Sequence, residues 1–148
     1  MTASQAPARM TLFLLDTHVL VWLFEGNTKL GRAARAAIQG AADENGALVS
    51  AITPWEIGLL VNKGRLKLGA EVMQWIRSVL AKPGVQLAAL SPEIAVDSTR
   101  LPFAVHPDPA DRILVATARH LGATLVTADA RLLEIAGQGH FRALDAES

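Results

Sequence analysis

Short apolar runs that alternate with segments of helical periodicity constrain the fold of this chain more than any other feature. The runs occupy residues 12–15, 47–50, 85–90 and 124–127, and residues 141–144 form a candidate edge strand. Consecutive apolar positions in runs this short are typical of parallel strands that are buried on both faces. The sequence therefore predicts an α/β fold of three layers, with a central, mostly parallel sheet of four to five strands between helices.

Start and stop signals divide the intervening segments into seven predicted helices. We expect them at residues 17–24, 28–40, 53–64, 70–80, 92–101, 109–121 and 130–137. Thr28 is the expected cap of the second helix. Thr53 is the expected cap of the third, with Pro54 at the first helical position and Glu56 at the third as the reciprocal partner of a capping box.

The length of 148 residues is that of one domain, which we place at residues 12–148 after a flexible tail at residues 1–11. Residues 10–24 are apolar, but Asp16 lies in their midst and argues against a signal peptide or a membrane span. We expect a cytoplasmic protein without membrane contact. The chain has no cysteine, which fits that location and excludes disulfides, thiolate zinc sites and a cysteine nucleophile.

The apolar content is high enough to indicate a surface that is buried against a partner. Hydrophobic residues make up 51% of the chain, and its mean hydropathy is +0.28. The apolar neighbours of Trp22, Trp55 and Trp75 favour placement in the core or an interface over stacking on bases.

Four acidic residues fall where strands end and helices begin. Asp16 follows the first strand and Asp129 the fourth, while Glu56 and Asp111 lie in first helical turns. Because the carboxyl ends of parallel strands share one edge of a sheet, we expect the four to converge there. Taken singly, each has a structural alternative as a helix cap, a capping-box partner or an acid favoured by the helix dipole.

Carboxylates gathered in one pocket repel each other unless a cation compensates their charge. Hard oxygen ligands suit Mg²⁺ or Mn²⁺, and such an ion polarises a phosphoryl oxygen and generates a hydroxide nucleophile. The 14 basic and 14 acidic residues cancel, so bulk charge gives no support for a nucleic-acid binder. A bound metal ion would supply the positive charge that meets a phosphate.

Five segments carry a resemblance that covers nearly the whole chain. They are LLDTHVLVW (14–22), SAITPWEI (50–57), KGRL (63–66), DPADRILVATA (108–118) and LVTAD (125–129). In this order and at these intervals, four of them resemble the acidic motifs of PIN-domain ribonucleases. The fifth, KGRL, is similar to a stretch common in the VapC-like toxins of toxin–antitoxin pairs. The resemblance implies a PIN-like form of the predicted α/β/α fold, with residues 12–148 as the PIN domain.

The resemblance also implies an activity, a site and partners. The activity is endonucleolytic hydrolysis of RNA, leaving 5′-phosphate and 3′-hydroxyl ends. The acidic quartet is Asp16, Glu56, Asp111 and Asp129, which would hold Mg²⁺ or Mn²⁺, with Asp129 binding directly or through water. The implied partners are a VapB-like antitoxin and a second copy of the chain in a homodimer.

Further residues are candidates for supporting roles. Ser50 and Thr127 could donate hydrogen bonds to the metal-bound carboxylates, Arg112 could contact a phosphate or a partner carboxylate, and Asp108 is either a helix cap or a further acid of the site. The histidines are too scattered to form a ligand pair at helical spacing, and we assign none of them to the metal: His18, His106, His120 and His140.

Three other classes of protein also have an acidic residue directly after a buried strand. A phosphoacceptor receiver needs an adjacent acidic pair after its first strand and a late lysine, and no lysine follows Lys82. A haloacid-dehalogenase-like phosphatase needs a second acid where His18 stands. A catalytically inactive PIN-like binding module remains the main alternative, although all four acids are present.

Overall fold

A computed structural model describes residues 11–148, so the predicted tail lies outside the described residues except for Thr11. Strands and helices follow one another nearly in alternation. In chain order they are β1 (Phe13–Leu15), α1 (Thr17–Glu25), α2 (Arg32–Ala42), β2 (Ala47–Ser50), α3 (Thr53–Asn62), α4 (Val72–Leu80), β3 (Val85–Ala88), α5 (Pro92–Thr99), α6 (Pro109–Leu121), β4 (Thr124–Thr127), α7 (Ala130–Gly137) and β5 (Arg142–Asp145). Among these residues no helix is long and apolar enough to cross a membrane.

The five strands form one sheet in the order β3-β2-β1-β4-β5, and every neighbouring pair is parallel. In the central register Leu14 lies opposite Leu48 on one side and Leu125 on the other. The predicted α/β class is confirmed, with all five strands parallel. The chain builds the sheet outward from β1 in one direction and then restarts at β4 in the other. This reversal leaves a crevice at the carboxyl ends of β1 and β4, where ligands bind in folds of this kind.

Consecutive residues of the inner strands pack into two separate cores. Leu15 and Val126 lie in a core with α1 to α4 on one face of the sheet. Leu14 and Leu125 lie in a second core with α6 and α7 on the other face, and α5 packs on α6. Burial of each such side chain contributes about 1.5–3 kcal/mol. The two cores hold the strand ends in fixed positions, as a site at the sheet edge requires.

The start of α2 differs from the prediction. Thr28 does not cap it, because residues 27–30 form a turn in which the Asn27 side chain accepts from the backbone N–H of Lys29 at 2.9 Å. The helix begins four residues after Thr28, with Gly31 as its N-cap and no side-chain cap. The Ser148 carbonyl oxygen accepts instead from the backbone N–H of Ala34 at 3.2 Å. A tertiary contact thus replaces the local cap.

The predicted capping box of α3 is also wrong. The N-cap is Ile52, and Thr53 stands one position inside the helix with a buried hydroxyl that has no hydrogen-bond partner among residues 11–148. The backbone N–H of Glu56 donates to the Ile52 carbonyl at 3.1 Å, as in any helical turn. The structural alternative for Glu56 therefore fails, and its carboxylate is not engaged as a capping-box partner.

Gly84, the residue before β3, lies close to the end of α2, and a substitution there tests this close approach. Its φ is +83°, and a Cβ there would stand 1.9 Å from the Ala42 carbonyl oxygen. We expect Gly84→Ala to lower the free energy of unfolding by about 2–4 kcal/mol, from backbone strain and overpacking together. Gly40→Ala is the matched control, because Gly40 lies within α2 and a Cβ there would meet no other atom within 4 Å.

The control should raise the free energy of unfolding by about 0.4–1 kcal/mol, since alanine has less freedom to lose on folding than glycine. Urea denaturation of both variants measures the difference. Equal midpoints for Gly84→Ala and Gly40→Ala would contradict the close approach between Gly84 and α2.

Candidate metal centre

Asp16 is held rigidly between the two central strands. It follows β1 and is buried, and its backbone N–H donates to the Val126 carbonyl of β4 at 3.0 Å. Its Oδ1 accepts from the Thr17 backbone N–H and its Oδ2 from the Thr127 hydroxyl, both at 2.7 Å. The carboxylate has one orientation, at the crevice between β1 and β4.

Thr127 connects Asp16 with Asp129. The Thr127 hydroxyl donates to Asp16 and accepts from the Asp129 backbone N–H at 3.1 Å. Asp129 caps α7 through Oδ1, which accepts from the backbone N–H groups of Arg131 and Leu132 at 2.9 and 3.1 Å. The other oxygen, Oδ2, faces His106 and the groove described below. Asp129 therefore caps its helix with one oxygen and offers the other to the site.

The start of α6 places two further acids at the same edge. Asp108 is the N-cap, exposed, with its Oδ1 accepting from the Ala110 backbone N–H at 2.9 Å. The cap role considered for Asp108 is thus present. Asp111 lies in the first helical turn, and its side chain is only 14% exposed. This difference in exposure makes Asp111 the stronger candidate of the two for a metal ligand.

The acids of the four motifs act on one another electrostatically. Burial, followed by the charges of Asp16, Asp108, Glu56 and Asp129, raises the pKa of Asp111 to about 8. Burial also raises the pKa of Asp16, against the hydrogen bonds from Thr127 and Thr17 that lower it. Without a cation, part of this cluster is protonated at neutral pH.

Glu56 joins the cluster from α3. Burial raises its pKa most, and the charges of Asp16 and Asp108 raise it further. The Thr17 hydroxyl is near enough to lower the pKa of Glu56, yet it does not reach hydrogen-bond geometry, and within residues 11–148 it is buried without a partner. The Thr17 hydroxyl is therefore an unsatisfied buried group beside Glu56.

The cluster fits a divalent cation. An unsatisfied buried hydroxyl costs about 1–3 kcal/mol, and here it lies beside carboxyl groups whose ionised forms are disfavoured. A cation would restore those ionised forms and could order a water against the Thr17 hydroxyl. Carboxylate oxygens are the donors that Mg²⁺ and Mn²⁺ take in proteins.

His106 is a residue of the site that the sequence argument missed. Its Nε2 lies 3.1 Å from Asp111 Oδ2 and 3.8 Å from Asp129 Oδ2, and these three residues form a group able to hold a metal ion. A search for histidine pairs at helical spacing overlooks it, because His106 lies in the loop before α6. Its position two residues ahead of the cap Asp108 was the available signal.

Two of the predicted supporting residues have other contacts. The Ser50 hydroxyl, buried at the end of β2, accepts from the Ile52 backbone N–H at 3.1 Å and shapes the turn into α3. Arg112 donates from Nε to the Ser98 carbonyl at 2.8 Å and from Nη1 to the Val105 carbonyl at 3.1 Å. Arg112 therefore anchors the loop that carries His106, which gives the predicted phosphate contact no support.

The site opens into a groove of about 540 Å³ lined by His106, Asp108, Asp111, Asp129, Ala130 and Arg131. A larger cavity, of about 600 Å³, lies at the opposite edge of the sheet beside Arg119 and Arg142. None of the acidic quartet lines it. The groove at the carboxyl edge is the one lined by acidic side chains, although its volume is the smaller of the two.

Comparison with known proteins identifies the fold. The family model of the PIN domain matches residues 13–138. The chain belongs to the PIN-domain family. This PIN domain is 37% identical over 123 residues to Ribonuclease VapC22 of Mycobacterium tuberculosis (strain ATCC 25618 / H37Rv), a match that covers 83% of this chain and 91% of that protein.

Solved structures show the same fold at lower identity. The crystal structure of VapBC2 from Rickettsia felis, bound to a DNA fragment from its promoter, superposes with a TM-score of 0.65 at 15% identity and covers 90% of this chain and 98% of that one. A toxin–antitoxin complex from Klebsiella pneumoniae gives 0.57 at 22% identity, over 90% and 96%. Both establish the PIN fold of this chain.

The raised pKa of Asp111 predicts how the metal-free PIN domain responds to pH. The folded pKa, about 8, exceeds the usual 3.8, so the stability contributed by protonated Asp111 is lost as pH rises between these values. Asp111→Asn cannot ionise. Between about pH 5 and about pH 8, the full shift corresponds to about 4 kcal/mol. Because solvent screens this partly exposed group, we expect Asp111→Asn in EDTA to gain about 1–3 kcal/mol in free energy of unfolding, relative to the unsubstituted chain, as pH rises over that range.

Asp43→Asn is the control, because Asp43 is exposed at the end of α2. Its free energy of unfolding should follow the unsubstituted chain across the same range. Denaturant titrations at several pH values test both variants. A constant difference between Asp111→Asn and the unsubstituted chain would mean that Asp111 is ionised throughout.

Proposed function

We propose that this PIN domain is a metal-dependent endoribonuclease and the toxin of a toxin–antitoxin pair. The observation that carries the proposal is that Asp111 and Asp129 line one groove, while Asp16 and Glu56 lie near enough to Asp111 for their charges to raise its pKa. The similarity to a ribonuclease over most of both chains supports RNA as the substrate. An RNA substrate and an intracellular partner would place the protein in the cytoplasm.

The proposed cofactor is Mg²⁺ or Mn²⁺. When bound, such an ion polarises a phosphoryl oxygen and lowers the pKa of a coordinated water, so that hydrolysis proceeds near neutral pH. Asp16, Glu56 and Asp111 would hold the ion with carboxylate oxygens, and Asp129 would bind it directly or through water. Asp16 needs little reorganisation for this, because Thr17 and Thr127 already fix its orientation.

The groove accounts for access by a long substrate. It is open to solvent, and Arg131 lines it on the first turn of α7. An exposed guanidinium there could contact a backbone phosphate of the RNA and position it over the acids. The chain has no net charge, so the positive field at the groove would come from the bound cation and this side chain.

The catalytic proposal predicts that Asp16→Asn abolishes RNA cleavage while the fold holds. The substitution preserves size but removes a charged ligand. Replacing residues that merely support a metal ligand typically costs 10–100-fold, so we expect a loss of more than about 100-fold. Cleavage of defined RNAs in Mg²⁺ and in EDTA, with mass analysis of the product ends, provides the measurement.

Asp43→Asn makes the same chemical change at an exposed position outside the cluster and should retain full activity. The products of the unsubstituted protein should carry 5′-phosphate and 3′-hydroxyl ends. Equal rates in EDTA and Mg²⁺, or 2′,3′-cyclic phosphate ends, would refute the metal mechanism. Metal binding without any cleavage would favour a PIN-like binding module.

A small antitoxin is the proposed partner, since the structural neighbours include toxin–antitoxin complexes. Trp55 on α3 and Met73 on α4 are 51% and 46% exposed, and α3 contacts α4. Exposed apolar side chains on two neighbouring helices could receive the anchors of an amphipathic partner helix. A homodimer, which we also propose, could bury part of this exposed apolar surface as well.

This partner assignment predicts that Trp55→Ser weakens antitoxin binding by at least about 30-fold, as expected for an aromatic anchor worth about 2 kcal/mol or more. Co-expression with a candidate VapB-like antitoxin, copurification and calorimetry measure the affinity. Leu121→Ser is the control, because Leu121 is 38% exposed at the opposite edge of the sheet. Unchanged binding by Trp55→Ser would remove Trp55 from the interface, and equal loss in both variants would contradict a specific contact at α3.

A further inference from the structure

We infer that His106 is a nitrogen ligand of the divalent cation at Asp111 and Asp129, and that it shifts the preference of the site from Mg²⁺ towards Mn²⁺. The inference rests on the metal site of the proposed function and adds a donor atom that the four acidic motifs do not contain. It concerns the imidazole Nε2, which faces both carboxylates.

The spacing of the donor atoms is that of ligands around one ion. Ligands about 2.1 Å from a common ion are about 3.0 Å apart at a right angle and about 4.2 Å apart when opposite. His106 Nε2 lies 3.1 Å from Asp111 Oδ2 and 3.8 Å from Asp129 Oδ2. Both separations fall inside that range, and the donor atoms of the three residues all lie within 4.8 Å of one another.

The loop that carries His106 is anchored on both sides of the residue. On one side, Arg112 donates a hydrogen bond to the carbonyl of Val105, the residue before His106. Arg112 is itself fixed by a hydrogen bond to the carbonyl of Ser98 in α5. On the other side, Asp108 lies two residues after His106 and caps α6. The His106 side chain is 20% exposed. The imidazole is thus presented to the acids by fixed backbone, so little ordering is required when an ion binds.

A neutral nitrogen donor also suits the charge of the site. Asp111 already experiences Asp16, Glu56, Asp108 and Asp129 as repelling charges. One more carboxylate would add to that repulsion, whereas a neutral imidazole completes the coordination without it. Mg²⁺ prefers oxygen ligands throughout, while transition ions accept imidazole readily. A mixed site should therefore discriminate against Mg²⁺.

The direct test is the electron spin-echo spectrum of Mn²⁺ bound to the full chain. We expect modulation from a directly coordinated ¹⁴N in the unsubstituted protein and in His120→Ala, and its loss in His106→Ala. His120 is the matched control, because it is exposed at the far end of α6 beside the opposite cavity. Calorimetry should show that His106→Ala weakens Mn²⁺ binding by about tenfold or more and Mg²⁺ binding by clearly less.

His106→Gln is the second variant. It controls for loss of folding, and it tests the alternative in which His106 orients Asp111 by a hydrogen bond and does not bind the ion. Its amide can still donate a hydrogen bond to Asp111, but as a ligand it would offer oxygen. If His106 only orients Asp111, then His106→Gln restores Mn²⁺ affinity and the unsubstituted spectrum shows no coordinated ¹⁴N, which overturns the inference. Equal losses for Mn²⁺ and Mg²⁺ in His106→Ala, or no Mn²⁺ binding at millimolar concentration, overturn it as well.

RNA cleavage, assayed on the same samples, separates this inference from the proposed function. A ¹⁴N signal that depends on His106, in a protein that cleaves no RNA, would establish His106 as a metal ligand and refute the proposed nuclease activity. Cleavage supported by Mn²⁺ without any coordinated ¹⁴N would support the nuclease activity and refute His106 as a metal ligand.

Discussion

Repulsion among carboxyl groups that the fold forces together is the constraint on which the site depends. The two cores fix the ends of β1 and β4, and the helices that begin at this edge add their own acids. Burial and mutual repulsion raise the pKa of Asp111 to about 8. The folding free energy must offset this cost when no cation is bound. Folding and cation binding are therefore linked: a cation that binds these acids in the folded chain, and not in the unfolded one, stabilises the fold.

The parallel topology explains why residues so distant in sequence meet. Asp16 and Thr127 are 111 positions apart, yet their side chains form a hydrogen bond of 2.7 Å because β1 pairs with β4. The reversal of strand order at this pair opens the crevice. α6 then supplies Asp111 from its first turn, where the helix dipole favours a negative charge. The sheet and the helix starts thus position the acids together, with no dedicated loop.

The sequence predicted the elements and the acidic edge, because both follow from local pattern and parallel pairing. The predicted cap of α2 is wrong: residues 27–30 form a turn instead, and the Ser148 carbonyl oxygen accepts from Ala34 in the first turn of the helix. For a related reason, the sequence did not identify His106 as a residue of the site. Periodicity identifies residues on one helix face, whereas His106 comes from a loop whose path depends on the hydrogen bonds of Arg112.

Cap and ligand are alternatives for each acid when only the sequence is considered, but the structure shows that they are compatible. A carboxylate has two oxygens, and Asp129 uses Oδ1 for the first turn of α7 while Oδ2 faces the groove. The cap fixes the torsion angles of the side chain, so the second oxygen is held in place before any ion arrives. Capping would therefore preorganise Asp129 as a metal ligand, and a cap role does not argue against a ligand role for the same acid.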